Sequence, residues 1–410
     1  MKKILALILA LCMVFCLCAC GGEDTQEPAD TQEPADTQEP ADTQEPADTD
    51  EPADSTVTIR VGGIGPLTGA AAVYGLATQN GAQIAVDEIN ALDSNIKIEY
   101  DFQDDTGVAE TAVSAYNTLK DWDVDVIYGC TTTAPCVSVA SETYADRYFQ
   151  LTPSASSPDV TAGKDNVFQM CFTDPNQGVT AANFVKDNAL ATKVAVLYNN
   201  GDPYSAGIAQ GFIDHAKEIG LEVVAEQTFP ADTNTDFNVQ LTACKDANAE
   251  MVFMPIYYTP ASLVLAQADQ MGYSPIFFGG DGMDGILAIE GFDTTLAEGL
   301  MLLTPFNATA TDERTANFVS TYEANYGEVP NQFAADGYDC MYAIYEACLQ
   351  IEGIADMDQA ALCDALIEVF TSGDFAVDGL TGLGMTWQAN GEVSKDPMVV
   401  VIKDGAYATM

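Results

Sequence analysis

Three short polar turns carry the side chains most able to do chemistry. Thr131-Thr132-Thr133 follows an apolar run and precedes a helical pattern, so its hydroxyls and free backbone N–H groups suit one carboxylate. Thr152-Pro153-Ser154-Ala155-Ser156-Ser157 places further hydroxyls after the next apolar run. Asp281, set among glycines in Gly279-Gly280-Asp281-Gly282, offers a carboxylate that can meet an ammonium group. Tyr74, the stretch Asn199-Asn200-Gly201-Asp202-Pro203-Tyr204 and the pair Tyr257-Tyr258 add phenols and amides at equivalent places. Each feature alone has a structural explanation, since glycines turn the chain and Ser or Thr caps helices. Their recurrence after successive apolar runs is what points to one shared cleft.

The elements that must hold these turns are short β-rich runs alternating with segments of helical period. Runs at 57–61, 96–102 and 124–128 are followed by helical patterns at 79–90, 109–120 and 134–144. The rhythm continues through runs at 149–151, 194–198, 222–227, 251–254 and 276–278, with helical patterns at 205–219, 237–247 and 261–271. Longer helical stretches follow at 312–326, 333–351 and 358–370, then short strands near Phe375, Met385 and Val399. Such alternation predicts an α/β protein with parallel sheets, and the count fits two doubly wound, Rossmann-like lobes. Ligands of such sheets gather beyond the carboxyl ends of the strands, where the polar turns lie.

The folded part starts near Thr56. Before it, Lys2 and Lys3, an apolar run at 4–17 and Leu17-Cys18-Ala19-Cys20-Gly21 read as a secretion signal, 1–19, cut before a lipidated Cys20. Residues 25–54 repeat Thr-Gln-Glu-Pro-Ala-Asp five times with one change at Asp50. Lacking large apolar residues and carrying a Pro in every unit, 20–55 reads as an acidic stalk. The expected location is extracytoplasmic, anchored to the cell membrane. Of the net charge of −48, the leader holds +2 and residues 21–54 hold −13, leaving −37 on 55–410, which argues against nucleic acid or anionic lipid as partner. The seven cysteines after Cys20 lack paired C-x-x-C spacing, so no metal site is indicated. They read as small buried hydrophobes, with Cys130 to Cys136 the one candidate bridge.

Five motifs carry a resemblance to a known family. Gly65-Pro66-Leu67-Thr68-Gly69, Leu151-Thr152-Pro153-Ser154-Ala155-Ser156, Cys171-Phe172-Thr173-Asp174, Pro255-Ile256-Tyr257-Tyr258 and Asn331-Gln332-Phe333-Ala334-Ala335-Asp336-Gly337-Tyr338-Asp339 occur in order. Together, over about 57–401, they resemble the type I substrate-binding proteins of ABC importers, in particular the leucine/isoleucine/valine-binding branch. The resemblance implies two lobes, 56–174 plus 306–380 and 175–305 plus 381–410, joined by three crossings near 173–176, 303–306 and 379–383. It also implies a monomer without cofactor that closes over an amino acid and docks on permease subunits. Carried over motif by motif, Thr131, Thr132 and Thr133 hold the α-carboxylate with help from Ser154, without settling which threonine leads. The Ala155 carbonyl and Ser156 hydroxyl take the amino group, Tyr257 and Asp281 match further amino-group contacts, and Tyr74, Tyr204 and Phe333 match walls beside the side chain. Asp281 stands where such binders often carry Glu, one methylene longer.

Magnitudes fit that division of labour. Burying a Val or Leu side chain supplies ~1.5–3 kcal/mol, whereas micromolar affinity needs about 8 kcal/mol. Charged hydrogen bonds at ~1.5–3 kcal/mol each make up the difference. No basic residue stands in the set, so a second ligand carboxylate would go unpaired and a neutral aliphatic amino acid is favoured. Aromatic amino acids and small amides remain compatible. Enzymatic readings are weak: the single histidine, His215, lies at helical spacing in 205–219, and Gly63-Ile64-Gly65 with Gly69 misplaces the third glycine of a nucleotide loop. A ligand-loaded sensor docking on a membrane receptor is the alternative that keeps the fold.

Overall fold

The computed structural model describes residues 56–231 and 234–410. The expected leader, the lipidated Cys20 and the acidic repeat lie outside the described residues. Among those described, no helix is long and apolar enough to cross a membrane.

The first part alternates β1 (Val57–Gly65), α1 (Ala72–Ala91), β2 (Ile96–Asp104), α2 (Ala109–Asp121), β3 (Val126–Gly129), α3 (Thr133–Asp146), β4 (Phe149–Thr152) and β5 (Val167–Gln169). These strands form one parallel sheet in the order β2-β1-β3-β4-β5. The chain then runs through α4 (Asp174–Asp187), β6 (Lys193–Asn199), α5 (Pro203–Ile219), β7 (Glu222–Phe229), α6 (Asn238–Asp246), β8 (Met251–Met254), α7 (Tyr258–Gln270), β9 (Ile276–Gly279) and β10 (Met301–Thr304). Helices α8 (Glu313–Tyr326), α9 (Gln332–Cys348) and α10 (Gln359–Phe370) precede β11 (Met398–Lys403) and β12 (Ala406–Thr409). The second sheet has the order β12-β11-β10-β9-β8-β6-β7, with only β11 running against its neighbours β10 and β12. Strands β3 and β8 are buried at every residue, as parallel strands covered on both faces must be.

The expected alternation of strand and helix is present, and the differences have physical causes. The sequence reading missed α4, because its charged face hides a weak apolar stripe, and β5, which is only three residues long. The strands expected near Phe375 and Met385 are single bridges, Val377 with Met385 and Trp387 with Val393. This segment packs on the first sheet: Trp387 Nε1 donates to the Gln169 carbonyl at 2.8 Å, and the Gln169 amide donates to the Gly391 carbonyl at 2.9 Å. Cys130 and Cys136 are not bridged; all seven described cysteines are free and buried. Burial pushes the Cys130 and Cys171 thiols up, which keeps them protonated.

Helices α1 and α9 pack closely because Gly81 has no Cβ to meet the Ala334 carbonyl. Lys395 Nζ lies 3.0 Å from Asp336 Oδ1 and donates also to Thr381 Oγ1, with the Lys395 and Asp336 side chains almost fully buried. Asp339 accepts the Leu380 and Thr381 amides at 2.7 and 2.9 Å. Burial, against the opposing pull of Lys395, pushes the Asp336 carboxyl up to about 7.

Candidate functional site

The polar turns meet where the carboxyl ends of both sheets face each other. Nine of the eleven expected ligand-binding residues, Tyr74, Thr131, Thr132, Thr133, Ser154, Tyr204, Tyr257, Asp281 and Phe333, line one cavity together with Gly282. It leaves about 10 Å³, room for one water centre, so an amino acid can enter only when these walls part. A wider outer cavity of about 170 Å³ shares Thr132 and Tyr257 with it.

On the first lobe, β3 ends at Gly129 and delivers the threonines to the start of α3. Thr132 is the residue before that helix, but its hydroxyl makes no cap bond, and its Oγ1 is buried without a hydrogen-bond partner. The capping role expected of it is therefore absent, and the hydroxyl is left for another acceptor or donor. Thr131 Oγ1 lies 3.1 Å from Thr78 Oγ1, while Ser154 Oγ donates to the Thr131 carbonyl at 2.6 Å. Ala155 and Ser156 do not line the cavity. The Ala155 carbonyl accepts Gln169 Nε2 at 2.7 Å, and the fully buried Ser156 hydroxyl faces the Asp174 carboxylate.

On the second lobe, a short turn after β9, Asp281–Met283, carries the acid. Asp281 Oδ1 accepts the Tyr204 hydroxyl at 2.7 Å and Gln177 Nε2 at 3.0 Å, while the Gln177 side-chain oxygen accepts the Asp281 amide at 3.0 Å. Burial raises the Asp281 carboxyl to about 6, with those two side-chain bonds pulling the other way. Tyr204 lies in the first turn of α5, which Asp202 caps by accepting the Ser205 amide with its side chain. Tyr257 stacks on Tyr204 with centroids 4.8 Å apart.

Tyr74 spans the lobes. Its hydroxyl donates to the Gly282 carbonyl and accepts the Tyr258 amide at 3.3 Å, and its ring lies 4.9 Å from Tyr258 and 4.3 Å from Phe333. Thr259 Oγ1 donates to the Ala70 carbonyl at 2.8 Å, adding a second tie. Gln177, Gly282 and Gln332 were not singled out by sequence reasoning. Gln332 sits beside Phe333 in a matched motif, and that adjacency was the available signal. His215 has no place here: Nε2 lies 2.8 Å from Asn183 Oδ1 and Nδ1 3.2 Å from Glu218. No group of three or more His, Cys, Asp or Glu side chains among the described residues is placed to hold a metal.

The chain is 33% identical over 229 residues to Leu/Ile/Val-binding protein homolog 3 of Brucella melitensis, covering 55% of this chain and 61% of that relative. The match thus spans about three fifths of that relative's length. A leucine-, isoleucine-, valine-, threonine- and alanine-binding protein of Pseudomonas aeruginosa is 26% identical over 318 residues, 75% of this chain and 82% of the relative. Among solved structures, a leucine-binding protein of Thermotoga maritima superposes with a TM-score of 0.77 at 26% identity, covering 86% of this chain and 97% of that one. The branched-chain amino acid transporter substrate-binding protein LivJ of Streptococcus pneumoniae, in complex with isoleucine, gives a TM-score of 0.77 at 28% identity, covering 86% and 98%. These folds are those of extracytoplasmic solute-binding proteins. Residues 58–406 match the periplasmic binding protein family, and the chain belongs to it.

Proposed function

We propose that this protein captures a neutral amino acid, most favourably a branched-chain one, between its lobes and delivers it to the permease of an ABC importer. The observation that carries this reading is the pairing of opposite chemistries in one cleft. The buried Thr131-Thr132-Thr133 turn, with one unpartnered hydroxyl, offers donors to a carboxylate, and the buried Asp281 offers charge to an ammonium. Thr131, Thr132, Thr133 and Ser154 take the carboxylate in this reading, and Asp281 and Tyr257 the amino group. Tyr74, Tyr204 and Phe333 wall the side chain. Relatives named for binding Leu, Ile and Val, and an isoleucine complex in a similar fold, support the aliphatic choice.

The protein acts by closure, as a binder and not as an enzyme. The lobes part and rejoin about three crossings. The first two lie near 170–173 and 305–312, between the sheets' strands. We place the third after Lys395 and not at 379–383, because 377–395 holds to the first lobe through Gln169 and Asp336. The motif Leu17-Cys18-Ala19-Cys20 supports lipid anchorage at Cys20, with the acidic repeat as the tether.

Thermal stability of the refolded, ligand-stripped protein, measured against each common amino acid, their amides and benzoate, tests the reading. Stabilisation by Leu, Ile and Val is expected because a ligand that binds only the folded state raises its stability. Stabilisation by benzoate alone, with silence from every amino acid, would overturn it.

A further inference from the structure

Helix α4 follows the last strand of the first sheet, and its opening turn directs Gln177 towards the cleft. Gln177 is fully buried, and its side-chain amide makes two bonds to one residue. Nε2 donates to Asp281 Oδ1 at 3.0 Å, and Oε1 accepts the Asp281 backbone amide at 3.0 Å. The two bonds close a ring through the backbone and side chain of Asp281 and fix the rotation of its carboxylate. A flipped amide would set donor against donor, so the pairing has one direction. Gly280 makes the approach possible, since a Cβ there would lie 2.9 Å from Gln177 Oε1 and 2.9 Å from the Tyr204 hydroxyl oxygen.

Asp281 lines the inner cavity and Gln177 does not, so a ligand meets the acid while the amide works from behind it. The ionisable neighbours of Asp281 are the carboxyls of Asp174 on α4, Asp284 just after its own turn and Asp336 on α9, with the Tyr204 and Tyr257 phenols and the Cys171 thiol beside them. Burial and the neighbouring carboxyls favour the neutral form of Asp281, whereas donors from Tyr204 and Gln177 favour the ionised form. A neutral donor does this without cancelling the charge. A lysine or arginine in its place would compete with a ligand's ammonium group for the same carboxylate.

We propose that Gln177 is a positioning residue of the ligand site, which holds the Asp281 carboxylate ionised and fixed in direction and so sets how tightly a ligand's amino group is bound. The proposal rests on the reading that Asp281 meets that amino group. Gln177 itself touches no ligand and acts through the acid alone.

The test compares the wild type with Gln177→Met, which keeps the volume and removes both bonds, by calorimetric titration of the full chain with leucine between pH 5 and 8. Binding should weaken about tenfold at pH 7, as loss of a hydrogen bond to a charged group implies. Its fall in acid should also begin at a higher pH than in the wild type, because the ionised form has lost a donor. A side chain that only packed would lower affinity by one factor at every pH. Urea melts without ligand read Asp281 directly. The stability gained by Asp281→Asn grows with pH up to about 6 in the wild-type background and should go on growing above it in the Gln177→Met background. Gln177→Asn, one methylene too short to reach both atoms, should give the same shifts and decides the matter if Gln177→Met fails to fold. An unchanged onset in the titrations, or an unchanged pH range in the melts, would overturn the proposal. Silence of leucine in the wild type would instead count against the reading of the cleft, and the melts alone would then decide for or against Gln177.

Discussion

Tyr204 fixes Asp281 in the cleft: the phenol donates to Oδ1 at 2.7 Å and in turn accepts the Gly282 amide at 2.8 Å. The carboxylate is thus oriented by a neighbour that has its own anchor. An incoming ammonium ion meets an acceptor already fixed in direction, which lowers the ordering cost of binding.

Asp281→Asn keeps an acceptor for Tyr204 but removes the charge. Amino-acid affinity should drop by about 10- to 100-fold, the value of a charged hydrogen bond. The ligand-free variant should be the more stable protein at pH 7. Because burial raises the Asp281 pKa, the unfolded chain ionises first, and wild-type stability falls as pH rises from about 4 to 6. The difference, on the order of 3 kcal/mol for a shift of this size, should vanish below pH 4. Calorimetric titration and urea melts check the two halves separately, and equal affinity in both proteins would remove Asp281 from the site.

Ligand affinity should itself depend on pH. An ammonium group favours the ionised form of Asp281, so affinity is level above about 6 and falls by up to tenfold per unit below it. Tyr204→Phe deletes a bond that lowers this pKa, so the onset of the loss should move to higher pH. A flat profile between pH 5 and 7 in the wild type would contradict the assignment.

Lys395→Met leaves Asp336 and Asp339 buried without their cation. Breaking a buried pair in this way costs about 3–5 kcal/mol. The penalty should be greatest above neutrality and shrink as acid protonates the raised Asp336 carboxyl. Denaturant midpoints at pH 5 and 8 measure it; a pH-independent loss would mean that packing, not charge, is what Lys395 supplies.

Gly81→Ala puts a methyl group into the Ala334 carbonyl, a backbone atom that cannot swing aside. Helices α1 and α9 must separate, at a cost of about 1–3 kcal/mol. An unchanged urea midpoint would show that this seam is softer than its geometry indicates.

Much of the site was legible because its chemistry sits just after strands, and strand ends are marked by abrupt changes from apolar to polar residues. That is why Thr131, Ser154 and Asp281 could be found from order alone. Gln177 could not: it projects from α4, a helix whose weak apolar stripe gave no period, and its role arises from distance to a residue 104 positions away. The placing of the third crossing shows a related difficulty. Gly379-Leu380-Thr381-Gly382 looks like a hinge, yet Asp339 holds the Leu380 and Thr381 amides and Lys395 pairs with Asp336, which is why we propose the crossing after Lys395. Long-range hydrogen bonds to a buried acid leave no local pattern to read.

The packing of Trp387 carries a spectroscopic consequence. The protein has two tryptophans, and neither Trp122 nor Trp387 lines the cleft, whose rings are tyrosine and phenylalanine. Trp387 packs against Phe370 and Phe375 with its N–H on the carbonyl of Gln169, the last residue of β5 before the chain leaves the first sheet. Indole emission will therefore be blind to ligand contact itself. With Trp122 replaced by Phe, a change in emission on adding ligand would read movement at the Trp387 segment, so intrinsic fluorescence becomes a gauge of lobe movement with no dye attached.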